Sequence, residues 1–139
     1  MVGFSEMRLL SVHDTLEAPE VLYQLLQERA PDTNISHREM PTWDAHIHFI
    51  QSRPYKAWYV IQGNGSPVGS IYLSKINEIG VFILIKHQGQ GFGKLAIQML
   101  MEKHPGERFL ANINPNNSRS IKFFKSLGFK HIQNTYEKR

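Results

Sequence analysis

The sequence predicts an α/β fold in a single domain spanning residues 1–139, and three observations carry that prediction. Segments with strand-like and helix-like apolar periodicity alternate along the chain. Two apolar, β-branched and aromatic runs flank Gly63-Asn64-Gly65, a hairpin signal. The 139 residues, 41% of them hydrophobic, have the size and composition of one globular domain able to bury a core.

The elements follow in order. Residues 7–12 read as a first strand. Residues 19–29 place Val21, Leu22, Leu25 and Leu26 at helical spacing, with Pro19 in the first turn and Pro31 as the stop. Thr42-Trp43-Asp44 opens a second helix that runs to Phe49 or Ile50 and closes before Pro54. Residues 56–62 and 67–74 form the hairpin strands. Residues 78–85 (EIGVFILI) are a nearly continuous apolar run of strand length. A helix over 91–103, a strand over 108–113 and a helix over 117–127 come next, with Gly128 placed as a C-terminal cap. A last strand is expected over 129–136.

Composition excludes several chemistries. Cysteine is absent, which removes disulfides, thiolate catalysis and cysteine metal sites. The opening residues hold no uninterrupted apolar stretch, so no signal peptide or membrane span is expected, and the chain reads as soluble and cytoplasmic. A net charge of +4 suits an anionic ligand. The basic residues are scattered, without aromatic interleaving, so no nucleic-acid partner is expected. His46 and His48, two apart on a helix, face different directions and have no carboxylate cluster beside them, so no metal site is expected.

The most informative segment is HQGQGFGKLA, residues 87–96. Gly89, Gly91 and Gly93 form a turn between an apolar strand and an amphipathic helix. Glycines let backbone N–H groups face outward uncovered, and a helix N-terminus adds unpaired donors and positive potential. That combination suits phosphate oxygens. The spacing fits neither the dinucleotide fingerprint nor a P-loop, which needs Gly-Lys-Ser/Thr.

Gln88-x-x-Gly91-x-Gly93 resembles the acyl-CoA pyrophosphate motif of the GNAT superfamily of N-acetyltransferases. The strand before it, beginning at Glu78, resembles that family's fourth strand. Asn114-Pro115-Asn116-Asn117, Ser120, Phe123-Phe124 and Leu127-Gly128-Phe129 resemble its second motif. The resemblance is strong over residues 78–129 and looser before them. It implies a mixed, mostly antiparallel twisted sheet flanked by helices on both faces, with acetyl-CoA in the cleft after the fourth strand and no metal.

It also implies roles. A splayed fourth strand binds the acyl carbonyl and pantetheine through backbone N–H groups, here those of Ile83 and Ile85. Gln88, Gly89, Gln90, Gly91, Phe92, Gly93 and Lys94 surround the pyrophosphate. Asn117 either caps the last helix or binds the pantetheine arm, with Ser120 and Phe124 beside it. Glu78 is the candidate general base, and Ile83 the oxyanion donor. Where the family commonly has a tyrosine that protonates the leaving thiolate, this chain has Phe124, leaving Tyr72, Tyr136 or water to substitute.

Trp43-x-x-His46-x-x-Phe49 and Tyr55-x-x-Trp58 look like the acceptor-lining region of family members that acetylate amino groups on nucleotide-linked sugars. An aromatic core contact is the other reading. The expected activity is acetyl transfer to a primary amine, with a small amine or amino sugar ahead of a protein N-terminus or lysine. A non-catalytic acyl-CoA sensor or scaffold is the alternative. The family often pairs strand edges, so a homodimer is among the expectations.

Overall fold

The computed structural model describes residues 6–29 and 39–139. Five strands form one sheet in the order β1 (Met7–Ser11), β2 (Ala57–Gly63), β3 (Ser66–Leu73), β4 (Glu78–Ile83), β5 (Leu110–Ala111). The first three pairings are antiparallel and β4–β5 is parallel, so the sheet is mixed as expected. The β2–β3 turn is tight: Asn64 (φ 55°) and Gly65 (φ 80°) both adopt the left-handed region that a two-residue hairpin requires.

Period-2 alternation sends the two sides of each strand to different helices. On one face, α3 (Phe92–Lys103) buries Phe92, Ala96, Ile97 and Leu100 against Ile61, Ile71 and Leu73, joined by Phe124 of α4 (Ser118–Ser126). On the other, α1 (Ala18–Glu28) buries Val21, Leu22 and Leu25 with Ile50 of α2 (Trp43–Gln51), against Trp58, Val60 and Leu84. Each such buried aliphatic side chain contributes about 1.5–3 kcal/mol. The expected layers are therefore present. Pro31, expected as the helix stop, lies outside the described residues; α1 ends at Glu28, with Pro19 in its first turn.

Three expected elements differ. The strand predicted over 78–85 stops at Ile83, because the chain turns into a 3-10 helix at Ile85–His87. The strand over 108–113 shrinks to Leu110–Ala111. The last strand, over 129–136, does not form. A two-residue β5 offers almost no ladder to pair with, and the segment's apolar side chains Ile132 and Tyr136 stay exposed.

Candidate functional site

The site begins where the sheet opens. β5 pairs with β4 only at Glu78↔Leu110 and Ile79↔Ala111. Beyond Ile79, β4 is bonded on its β3 side alone, where the Leu84 N–H donates to the Val68 carbonyl at 2.9 Å. Antiparallel bonding alternates, so the N–H groups of Val81 and Ile83 face the opposite, open edge, about 7 Å apart along the strand. Ile85 is different: its N–H donates to the Glu28 carboxylate at 2.7 Å, from the turn after the strand. The Ile83 N–H thus faces the open edge, whereas that of Ile85 is bonded to Glu28.

The open edge runs directly into the glycine turn. The Gln88 side-chain amide donates to the Ile83 carbonyl at 3.0 Å, tying the turn to the strand end. Gly89 (φ 79°) and Gly91 (φ 91°) hold left-handed conformations, and a β-carbon on either would project into open space. Gly91 is the N-cap of α3. From Gly89 to Lys94, successive N–H groups lack a backbone acceptor among the described residues. Phe92 is buried, its ring packed where Gly63 leaves room, so it anchors the turn and offers the cleft only its N–H. Gln90 and Lys94 are exposed, and Gly93 lies near Phe123 and Ile83. The donors, the glycine geometry and the helix N-terminus fit a pyrophosphate.

On the α1–α2 face, a cavity of about 1010 Å³ opens beside β4. Its wall includes His46, Phe49, Tyr55, Trp58, Tyr72 and Phe82. The Tyr55 and Tyr72 rings stack 3.9 Å apart, and Trp58 meets Tyr55 edge-on at 4.8 Å. The Tyr72 ring also lies across Gly80, where a β-carbon would collide with it. His46 is buried and donates its Nε2–H to the Pro19 carbonyl at 2.8 Å, joining α2 to α1. Trp43 packs on Tyr23 and His46 beside the cavity.

Glu78, half-buried at the start of β4, shares the strand face of Gly80 and Phe82. Its N–H donates to Ser74 Oγ at 2.9 Å, and its carboxylate accepts from the Asn112 side-chain amide just past β5. Tyr72 feels that carboxylate. Burial raises the Tyr72 pKa above its ordinary value; Arg29 and a hydrogen bond with Tyr55 pull it down, and Glu78 pushes it further up. The phenol stays protonated at neutral pH.

The remaining residues divide. Asn117 caps α4, its Oδ1 accepting from the Ser120 N–H at 3.1 Å. Phe124 is buried in the core, with the Phe123 and Phe129 rings each 5.2 Å away. Tyr136 is 89% exposed in the C-terminal segment, whereas Tyr72 is at the cavity. Sequence reasoning missed Val81, legible only once the end of β5 is known. It also missed Asn112 and Arg29, which carry no local signal. Among the described residues, no three His, Cys, Asp or Glu side chains converge as metal ligands.

Comparison with known proteins follows the same lines. A model of the acetyltransferase (GNAT) family matches residues 20–129. The peptidyl-lysine N-acetyltransferase YjaB of Salmonella typhimurium is 30% identical over 73 residues, 52% of this chain and 49% of that protein. The matched stretch spans about half of that relative's length. A domain from Methanocaldococcus jannaschii superposes with a TM-score of 0.78 at 25% identity, over 95% of this chain and 93% of that one. YncA from Salmonella typhimurium, solved with acetyl-CoA, superposes with a TM-score of 0.65 at 22% identity, over 88% and 78%.

Proposed function

The chain belongs to the GNAT family of acetyltransferases, and from that membership we propose that it moves an acetyl group from acetyl-CoA to a primary amine, a small amine or an amino sugar. The observation that carries this reading is the open edge of β4, with its Val81 and Ile83 N–H groups, continuing into the unpaired N–H groups of residues 89–94. One end suits an acyl carbonyl and the other a pyrophosphate. The aromatic cavity beside β4, walled by α1 and α2, is the size of a small-molecule site.

Bound acetyl-CoA supplies the acyl carbonyl and the thiolate leaving group. The acceptor nitrogen attacks that carbonyl carbon, the C–N bond forms as the C–S bond breaks, and the sulfur leaves with the electron pair. Ile83 donates to the oxygen as negative charge grows on it, an effect worth roughly 3–4 kcal/mol for a well-aimed donor, and the Val81 N–H, about 7 Å along the strand, serves the pantetheine arm. Glu78, oriented by Asn112, takes the amine proton. Tyr72 holds its proton and is one of the hydroxyl groups at the cavity, the one we assign to protonate the thiolate in place of the family's tyrosine. A base matters most for basic amines: at pKa ~10.4 the neutral form at pH 7 costs roughly 4–5 kcal/mol, against about 1 kcal/mol at pKa ~8.

The buried phenyl of Phe124 favours a second reading, an acyl-CoA binder without turnover. Thiol release from acetyl-CoA, measured with a panel of amino sugars, polyamines, amino acids and lysine peptides, separates the two. Amine-dependent release with a small acceptor supports the enzyme. Saturable acetyl-CoA binding with no release above the amine-free rate supports the binder.

A further inference from the structure

We propose that the acceptor carries an anionic group, a carboxylate or a phosphate, which Arg29 binds at the cavity wall. This rests on the reading of that cavity as the acceptor site. Arg29 directly follows α1, its N–H bonded to the Leu26 carbonyl, and its side chain reaches the cavity beside Phe82. The guanidinium carbon lies 4.1 Å from the centre of the Phe82 ring. A ring face attracts a cation but supplies no anionic oxygen.

Nothing else among the described residues does so. Among the described residues, Arg29 Nε is buried without a hydrogen-bond partner, and the two ion pairs found there, Lys56–Glu107 and Arg139–Glu137, lie elsewhere. The adjacent carboxylate, Glu28, accepts from the Ile85 N–H through one oxygen and from the Gln24 amide at 3.2 Å through the other. Glu39, also on the wall, makes no ion pair with Arg29. Burial lowers the guanidinium pKa, with Tyr72 and Tyr55 offsetting part of the effect; an arginine nevertheless remains charged.

A partly buried cation with no counter-charge among the described residues is costly to the fold. It becomes favourable when an anion arrives, and the planar guanidinium fork matches carboxylate and phosphate oxygens in pairs. Its location fits a substrate. Phe82 immediately precedes Ile83, so the anion seat adjoins the strand segment whose N–H groups face the acyl site. One small molecule can reach both.

Matched acceptors test this: phenylalanine against phenethylamine for the carboxylate, and glucosamine against glucosamine 1-phosphate and its uridine diphosphate ester for the phosphate. The anionic member of the responsive pair should show kcat/KM about 10- to 100-fold above the neutral one, and the pair that responds identifies the anion. Arg29→Met should erase the preference and raise the melting temperature, since an apolar chain replaces a charge paired by no described carboxylate; Arg29→Lys should keep part of the preference. A merely structural Arg29 would instead lower the melting temperature when replaced. Quenching of tryptophan fluorescence by N-acetylphenylalanine and N-acetylglucosamine 1-phosphate reads the seat without turnover. Acetylation of neutral and anionic members at equal kcat/KM overturns the anion seat while leaving acetyl transfer standing. Arg29-dependent quenching with no amine acetylated supports the seat and removes the transfer reading. Neither acetylation nor Arg29-dependent quenching overturns both.

Discussion

At the scale of single residues, Glu78 carries the heaviest chemical assignment. Its carboxylate is tied to Asn112 and lies close enough to Tyr72 to raise that phenol's pKa. Glu78→Gln keeps size and most hydrogen bonding but cannot accept a proton. With a basic amine it should lower kcat at pH 7 by about 100-fold and leave acetyl-CoA affinity within about twofold. An unchanged pH–rate profile in this variant would take Glu78 out of the reaction. Glu78 was legible because it opens an apolar strand; Arg29 was not. A charged residue closing an amphipathic helix reads as surface, and only the packing of α1 on the sheet at β3 brings its guanidinium over Phe82.

At the scale of elements, the β4–turn–α3 unit was readable because its physics is local. An apolar strand, glycines at left-handed positions and a helix start are each encoded within a few residues. The end of the sheet was not. Whether residues 129–136 form a strand depends on how much ladder β5 offers, and a two-residue β5 is a tertiary outcome that local alternation cannot report. The N-terminus of α4 yields a test of another local device. Asn117→Ala should cost about 1 kcal/mol of stability through loss of the cap. Asn117→Asp restores the cap acceptor but removes the amide donor. If Asn117 also holds the pantetheine arm, Asn117→Asp should recover the melting temperature while acetyl-CoA affinity stays several-fold weaker. Full recovery of both would confine Asn117 to capping.

At the scale of the whole molecule, the sheet separates two tasks. The face under α3 and α4 is a packed core, with Phe92 seated on Gly63 to fix the turn that begins α3. The opposite face, under α1 and α2, leaves an aromatic cavity. The mixed topology makes the division workable, because β4 pairs fully with β3 yet parts from β5 after two residues. The same strand, β4, borders the cavity at Phe82. The alternating strands and helices predicted the layers, while the motif resemblance supplied the mixed topology. The cavity's contents depend on side chains drawn from five separate segments, which no local pattern reveals.

The central claim is that acetyl-CoA binds at the open edge and the glycine turn. Its most direct test is the melting temperature of the wild-type chain and Gly91→Glu with acetyl-CoA, free CoA and NADPH. A ligand at ~100 times its dissociation constant adds about 2.7 kcal/mol, several degrees for a domain of this size. Gly91→Glu puts a β-carbon at φ 91° and a carboxylate among the N–H groups of the turn, costing about 1–2 kcal/mol of backbone strain. The wild type should shift with both CoA species and not with NADPH, and Gly91→Glu should melt slightly lower and shift with none. The absence of any wild-type shift with the CoA species, or an equal shift in Gly91→Glu, would contradict the account.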